Sequence, residues 1–154
     1  MSLLGYALNE LAKATRDVAQ SKAALDALKK GLSLKSPNAH EEAVLWCNVA
    51  DSYGLMGNKK EQIKAAQRAT EIDDSYEAWL HLANAYVESR MAEEAFATLR
   101  RLYAMNPRDA DVLNNLGLIS IMVHKDKVSA ARYAEELQSV DPVRAAELLS
   151  LIRR

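Results

Sequence analysis

Residues 46–53 read Trp-Cys-Asn-Val-Ala-Asp-Ser-Tyr, and residues 79–86, which begin 33 positions later, read Trp-Leu-His-Leu-Ala-Asn-Ala-Tyr. A partial third copy, Leu-Asn-Asn-Leu-Gly, occupies residues 113–117. Self-similarity at a period of roughly 20–50 residues is the signature of a repeat architecture. The chain is therefore predicted to be an array of similar units. Each unit ends on an apolar residue, then Asp or Asn, then Asp or Pro, at residues 72–74, 105–107 and 140–142.

The spacing within each copy indicates helices. Trp46 and Tyr53 are seven positions apart, as are Trp79 and Tyr86, which places each pair on one helix face, two turns apart. We expect each pair to fill the space between the two helices of a hairpin. With only 5 glycines and 3 prolines, the 154 residues hold too few turn residues for a β-sandwich. The sequence thus predicts an all-α fold.

This pattern, W-x2-L-[GA]-x2-Y at a period near 34, resembles the tetratricopeptide repeat. The copy that begins at Trp79 fits best, whereas the copy that begins at Trp46 carries Gln62 where the family usually has alanine. The resemblance implies an α-α superhelix (solenoid) of about four antiparallel helix hairpins plus a C-terminal capping helix. A small residue should lie where the two helices of a hairpin cross closely, and the copies supply Ala50, Ala83 and Gly117 there.

The resemblance also implies an organisation for the whole chain, a single domain over residues 1–154. The first repeat is degenerate because it lacks both aromatics and the turn glycine, and it could instead form one long helix. The predicted repeats are approximately 5–38, 43–75, 76–108 and 110–142, followed by a capping helix over 143–153.

Helix-capping residues mark several of these boundaries. Asn or Asp directly before a helix accepts hydrogen bonds from its first free N–H groups, and proline suits the first helical position. We expect the apolar stripe of the capping helix to consist of Val143, Ala146, Leu149 and Ile152. The predicted N-caps are Asn38, Asn58, Asp109 and Asp141.

Composition excludes several classes of function. The 20 basic and 21 acidic residues give a net charge of −1, without the basic excess that nucleic-acid and anionic-membrane binding require. No apolar stretch reaches the roughly 18 residues of a membrane-spanning helix, and the N-terminus does not read as a signal peptide. The expected location is the cytoplasm, or the periplasm if a longer natural chain carries a signal or anchor.

In the tetratricopeptide repeat family the first helices of the hairpins line a concave groove. The resemblance therefore implies partner-binding residues that run from basic through acidic to apolar along the array. The set lacks the cations of the family's carboxylate clamp, so no binding of an acidic C-terminal tail is expected. The candidate groove residues are Asn9, Lys13, Arg16, Asn48, Asp51, Glu77, His81, Asn84, Asn114, Leu118, Ile121 and Met122.

The apolar end of that groove has more than one interpretation. Leu118, Ile121 and Met122 could pack beneath the terminal helix, or they could form an apolar pocket for a partner helix or peptide. A merely solvated face is a further alternative. If a partner binds in such an apolar pocket, the acidic residues Asp51 and Glu77 could meet its basic residues.

Catalytic and metal chemistry are not expected. The histidines have no metal-ligand spacing, and no histidine is clearly placed to activate Cys47 as a nucleophile. No phosphate-binding glycine loop is present, so neither a cofactor nor an enzyme activity is predicted.

The predicted function is a protein–protein interaction scaffold that binds a peptide or helix of a partner in the concave groove. One alternative is a dedicated chaperone or pilotin-like factor of secretion or pilus assembly. Another is an accessory domain of a larger multidomain protein. Helical-repeat RNA binding shares the period but not the charge.

Overall fold

The computed structural model describes residues 3–15, 17–34 and 38–153, with side chains from residue 7 onward in those ranges. Nine α-helices and no β-strand form within the described residues. The helices are α1 (Leu3–Thr15), α2 (Val18–Ser33), α3 (Ala39–Leu55), α4 (Lys59–Ile72), α5 (Tyr76–Glu88), α6 (Ala92–Met105), α7 (Ala110–Met122), α8 (Lys127–Gln138) and α9 (Pro142–Ile152).

The helices are divided between two compact units, unit 1 (Met1–Arg90) and unit 2 (Met91–Arg154). In unit 1, α1 packs on α2 and α3 packs on α4, while α3 also contacts α1 and α5. In unit 2, α7 packs on α6, α8 and α9, and α8 packs on α9. The all-α class predicted from the sequence is confirmed, whereas the single domain and the repeat limits stay predictions.

The degenerate first repeat is a hairpin and not one long helix, so that alternative is wrong. α1 ends at Thr15, and α2 begins at Val18. Asp17 is the N-cap of α2, and its carboxylate accepts hydrogen bonds from the backbone N–H groups of Ala19 and Gln20. A capping carboxylate satisfies the free N–H groups of the new helix and thereby fixes its start.

All four predicted N-caps form. The side chains of Asn38 and Asn58 accept hydrogen bonds from the third helical N–H of α3 and α4, at 2.8 and 3.4 Å. Asp109 caps α7, and Asp141 caps α9 with proline at the first helical position. Asp17, Ser75 and Asp126 cap further helices that the sequence analysis had not marked.

The turn between α3 and α4 requires a glycine. Gly57 has a φ of 72°, in the left-handed region that a residue without Cβ adopts at little cost. Arg90 and Lys125, both with a φ of 58°, adopt the same region after α5 and α7. Those two turns therefore keep a conformation that is unfavourable for their side chains.

Small side chains let α3, α4 and α5 approach one another in unit 1. Ala43 and Cys47 of α3 pack with Ala69 of α4 and Ala78 of α5, and each of the four is at most 2% exposed. Burial, together with the nearby carboxylates of this unit, raises the pKa of the Cys47 thiol to about 12. Cys47 is thus a neutral core residue at physiological pH.

The sequence predicted that the aromatic pair of α3 fills the space between the two helices of its hairpin, and the pair does not do so. Trp46 and Tyr53 are only half-buried, and both line an open cavity of about 390 Å³ between α2, α3 and α4. The hairpin is instead closed by alanines, since Ala65, Ala66 and Ala69 of α4 are all buried.

The last helix packs through a different stripe from the one predicted. Ala145 and Leu148 of α9 are buried, whereas Val143 is 69% exposed and Ala146 is also exposed. Leu148 lies directly over Gly117 of α7, where a Cβ would overlap the leucine methyl groups. The close approach at Gly117 is therefore to α9, and not only between the two helices of one hairpin as predicted.

Candidate functional site

Asp51 joins three helices of unit 1 on the side where α1, α3 and α5 come together. Its Oδ1 lies 2.8 Å from Nδ1 of His81 on α5, and its Oδ2 lies 2.5 Å from Nζ of Lys13 on α1. The Lys13 amine also contacts Glu10 Oε1 at 3.0 Å. We call this side of unit 1, defined by Lys13, Asp51 and His81, the α1–α3–α5 face.

These contacts keep Asp51 ionised. Burial alone would raise the pKa of the carboxyl, but the hydrogen bonds and charges of His81 and Lys13 outweigh it, so the Asp51 pKa lies below its usual value. Burial would likewise lower the pKa of Lys13, but the interaction with Asp51 raises it. The face thus holds an ordered ion pair whose two members stabilise each other's charged form.

A buried amide network lies beside this ion pair. Asn9 donates from Nδ2 to Asn48 Oδ1 at 3.0 Å and accepts at Oδ1 from Ser52 Oγ at 2.9 Å. Asn48 donates to the Val44 carbonyl at 2.9 Å. Asn9 and Ser52 are fully buried, and Asn48 is 7% exposed. These side chains therefore join α1 to α3 in the interior of unit 1. Their direct contact with a partner stays a prediction.

A cleft of about 240 Å³ opens next to the Lys13–Asp51 pair. Glu88 of α5 lies on its rim, where Oε2 accepts hydrogen bonds from Lys59 Nζ at 2.5 Å and from Gln62 Nε2 at 3.2 Å. Gly54 makes room for the Gln62 amide, because a Cβ there would lie 2.7 Å from Gln62 Nε2. The cleft therefore joins polar groups from α1, α3, α4 and α5.

Sequence reasoning had not assigned Gln62 to the site. One signal was available, since Gln62 replaces the alanine that the repeat family usually places there. A polar side chain at an otherwise buried small-residue position needs a hydrogen-bonding partner, and Gln62 is 5% exposed. Alignment with the repeat family does place Glu88 at a groove position, but no local pattern predicts its hydrogen bond with Gln62.

The remaining candidates in unit 1 are more accessible. Asn84 and Glu77 of α5 are exposed, and the side chain of His81 is 22% exposed. Arg16 lies outside the described residues. The structure therefore brings Lys13, Asp51 and His81 together. The Lys13–Asp51 ion pair neutralises part of the charge difference that was predicted between the basic start and the acidic middle of the groove.

The candidates in unit 2 do not form a comparable polar cluster. Asn114, Leu118 and Ile121 of α7 are half-buried, and Met122 is 63% exposed. That exposure is incompatible with packing of Met122 beneath α9. Arg144 of α9 instead contacts α7 at its other end, with Nη1 2.5 Å from Asp111 Oδ1.

The described residues contain neither a metal-binding cluster nor a membrane-spanning helix. Across the described ranges, no group of three or more His, Cys, Asp or Glu side chains is arranged to hold a metal ion. None of the helices in those ranges combines the length and the apolar character needed to cross a bilayer.

Two family models match the chain, and together they span residues 43–119, half of its length. A tetratricopeptide repeat model matches residues 43–76, and a second tetratricopeptide repeat model matches residues 76–119. The chain belongs to the tetratricopeptide repeat family. Membership of this family of scaffolds, which are generally not enzymes, supports the predicted role as a protein-interaction scaffold. No curated protein sequence shows significant similarity to the chain.

Solved structures of the same family share the fold. A tetratricopeptide repeat protein from Parabacteroides merdae ATCC 43184 aligns with a TM-score of 0.81 at 19% identity, over 96% of this chain and 58% of that one. YrrB, a TPR protein with an unusual peptide-binding site, aligns with a TM-score of 0.74 at 17% identity, over 97% and 74%.

A chain in the crystal structure of the APC/C hetero-tetramer Cut9–Hcn1 aligns with a TM-score of 0.77 at 16% identity. The alignment covers the whole of the present chain and 30% of the matched chain. The chain therefore spans less than two thirds of two of these three proteins. At these identities the likeness concerns the fold, and it confirms the helical-repeat class.

Proposed function

We propose that the chain is an interaction module that binds a basic, extended segment of a partner protein on the α1–α3–α5 face of unit 1. The observation that carries the proposal is the Lys13–Asp51–His81 cluster, held in place beside an open cleft. A recognition surface whose side chains are ordered before binding loses less entropy when a partner arrives. The family and the peptide-binding site of the similar YrrB support a protein partner.

The charge of the face favours a basic segment. The helices α1, α3 and α5 contribute Glu10, Asp51, Glu77 and Glu88, against the single cation of Lys13 in this cluster. Lys13 and Lys59 are internal partners of three of these carboxylates, Glu10, Asp51 and Glu88, and both lysine side chains are more than a third exposed. An arginine of the partner can replace such a lysine because its planar guanidinium binds a carboxylate through two parallel hydrogen bonds.

A selection from a random eight-residue peptide display library on the immobilised chain tests this proposal. We expect enrichment of peptides with two or more Arg or Lys residues. Glu88→Gln should weaken the selected peptides by about fivefold, which corresponds to about 1 kcal/mol, because it removes one rim charge. Glu135→Gln, at an exposed position of α8 in unit 2, is the matched control and should leave the affinity unchanged.

Peptides without basic enrichment, or equal losses in the two variants, would contradict the proposal. The chaperone and accessory-domain alternatives use the same face and differ in where the basic segment comes from. A chaperone would co-purify with one dedicated partner, whereas an accessory domain would bind a segment of its own longer polypeptide.

A further inference from the structure

A second cavity lies on another side of unit 1, between α2, α3 and α4. Its volume is about 390 Å³, in the lower part of the range of roughly 300–1,000 Å³ that is typical of ligand clefts. Trp46, Val49 and Tyr53 form its apolar wall, because positions three or four apart share one face of α3. This volume and lining suit a single aromatic or large apolar side chain.

The two tryptophans of the chain differ in the hydrogen bonding of their indole N–H groups. The indole Nε1 of Trp46 is buried and has no hydrogen-bond acceptor, whereas Nε1 of Trp79 donates to Asp74 Oδ1 at 2.5 Å. A buried donor without a partner is unfavourable, and such groups are uncommon in folded proteins. The Trp46 ring packs against the buried cluster of Ala43, Cys47, Ala69 and Ala78, and its Nε1 makes no hydrogen bond that an occupant of the cavity would have to break.

The rim of this cavity is basic. Lys29 of α2 lies with Nζ 5.4 Å from the centre of the Tyr53 ring, and Lys64 and Arg68 of α4 also line the opening. Two of these cations have carboxylate partners on α4. Lys64 binds Glu61, which belongs to the lining, at 2.8 Å, and Arg68 binds Glu71 at 3.0 Å. The Lys64 contact, with the further charges of this side of the unit, lowers the pKa of Glu61, so the field here favours a negative charge.

We propose that the α2–α3–α4 cavity is a second binding site, which accepts an acidic peptide segment of a partner protein. One aromatic side chain of that segment enters between Trp46 and Tyr53, and carboxylates on either side of it meet Lys29 and Arg68. Aromatic rings in contact stabilise a complex beyond the area that they bury, and the flanking charges select the segment.

A peptide suits the site better than a nucleic acid. Binding to a phosphate backbone requires a basic surface that follows many consecutive phosphates, and the whole chain has a net charge of −1. A short segment whose charges flank one ring needs only the two or three cations that the rim supplies.

Binding is tested with the complete chain and fluorescein-labelled pentapeptides, followed by fluorescence anisotropy at physiological salt. The probe is Asp-Glu-Phe-Glu-Asp, and its controls are Asp-Glu-Ala-Glu-Asp and Lys-Arg-Phe-Arg-Lys. We expect the probe to bind about tenfold more tightly than either control, because only the probe has both the ring and the carboxylates.

Two charge-reversal variants locate the binding. Lys29→Glu/Arg68→Glu changes exposed lining residues, and it should weaken the probe about tenfold by placing like charges opposite the peptide. Lys30→Glu/Lys60→Glu makes the same change of net charge at exposed neighbours outside the lining, on the same two helices, and it should change the affinity by less than about threefold. Circular dichroism melting verifies that both variants fold.

An independent readout uses the emission of Trp46 in a Trp79→Phe chain, which the unlabelled probe should shift because its ring enters beside the indole. Equal affinity for the phenylalanine and alanine peptides, equal losses in the two double variants, or tighter binding of a five-nucleotide thymidine strand would each overturn the proposal. Glu88→Gln lies on the α1–α3–α5 face, so it should leave the affinity for the acidic probe unchanged. The proposal for this cavity and the proposal for the α1–α3–α5 face are therefore tested independently.

Discussion

The contact between α1 and α3 in unit 1 and the contact between α7 and α9 in unit 2 both join the first helix of a hairpin to the helix that follows the hairpin. The two contacts are built differently. Asn9, Asn48 and Ser52 join α1 to α3 through buried hydrogen bonds of 2.9 and 3.0 Å. Leu148 joins α9 to α7 by lying directly over Gly117.

The difference shows that one repeat geometry can be stabilised by two kinds of interaction. A hydrogen-bonded amide network has a modest net free energy, but it allows only the helix register that satisfies every group. Close packing of a leucine over a glycine contributes more through buried apolar area, and it requires that no Cβ occupy position 117. The amide network of unit 1 therefore fixes the register of helices that form the α1–α3–α5 face. The apolar contact of unit 2 packs α9 against the last hairpin.

The largest expected effect is at the apolar contact. Leu148 is 1% exposed, so Leu148→Ala should lower the free energy of unfolding by about 2–5 kcal/mol through lost burial and a residual cavity. Urea denaturation followed by circular dichroism measures it. Val143→Ala is the control on the same helix, where 69% exposure should limit the change to about 0.5 kcal/mol. Similar losses in the two variants would refute the packing described for α9.

The same contact predicts a non-additive pair. Gly117→Ala alone should cost about 1–3 kcal/mol, since the new Cβ overlaps the Leu148 methyl groups. In a Leu148→Ala chain the methyl groups are gone, so Gly117→Ala should cost less, or even stabilise by helix propensity. A double-mutant cycle with no coupling between the two positions would contradict the close approach.

A smaller effect is expected at the amide network. Asn9→Ala removes the donor to Asn48 Oδ1 and one of the two acceptors of the Ser52 hydroxyl, which keeps its hydrogen bond to the Asn48 carbonyl at 3.0 Å. The buried Asn48 Oδ1 therefore loses the hydrogen bond from Asn9. We expect a loss of about 1–3 kcal/mol in the free energy of unfolding. Asn84→Ala, at an exposed position of α5, should change it by about 0.5 kcal/mol at most. Equal changes in the free energy of unfolding for Asn9→Ala and Asn84→Ala would contradict the role of the network in joining α1 to α3.

The smallest effect depends on pH. The pKa of Asp51 is lowered in the folded chain, so its charged form stabilises the fold above the unfolded pKa of about 3.9, and that contribution disappears as the pH falls through the lower folded pKa. Asp51→Asn should therefore cost about 1.5 kcal/mol at neutral pH, from the lost charge-assisted contacts. The gap between the two chains should narrow as the pH falls below about 4. A gap of constant size in urea titrations at each pH would show that Asp51 is not the titrating group.

The repeat signal predicted most of the fold because it is local. A hydrogen-bonding cap such as Asn38 or Asp141 involves residues three positions apart, so the sequence alone determines it. The same holds for the aromatic spacing that placed Trp46 and Tyr53 on one face. The cavity that they line depends on how α2 and α4 lie against α3, and no local pattern contains that information.

The side-chain contacts that the sequence did not reveal depend on how the helices are rotated and placed against one another. Lys13, Asp51 and His81 were all predicted as groove residues, but their pairing depends on the rotation of three helices about their axes. The stripe proposed for α9 was wrong for a geometric reason. Steps of three residues turn by about 300° in a helix of 3.6 residues per turn, so a stripe from Val143 to Ile152 drifts around the helix, whereas Ala145 and Leu148 stay close together.

Cys47 makes the opening of unit 1 measurable by thiol labelling. It is the only cysteine in the 154 residues, it is 2% exposed, and its pKa is raised to about 12. A thiol reagent reacts with an accessible thiolate, so modification requires the contacts among α3, α4 and α5 to separate first. The labelling rate of the unaltered chain, compared with that of the unfolded chain, therefore gives the free energy of this local separation.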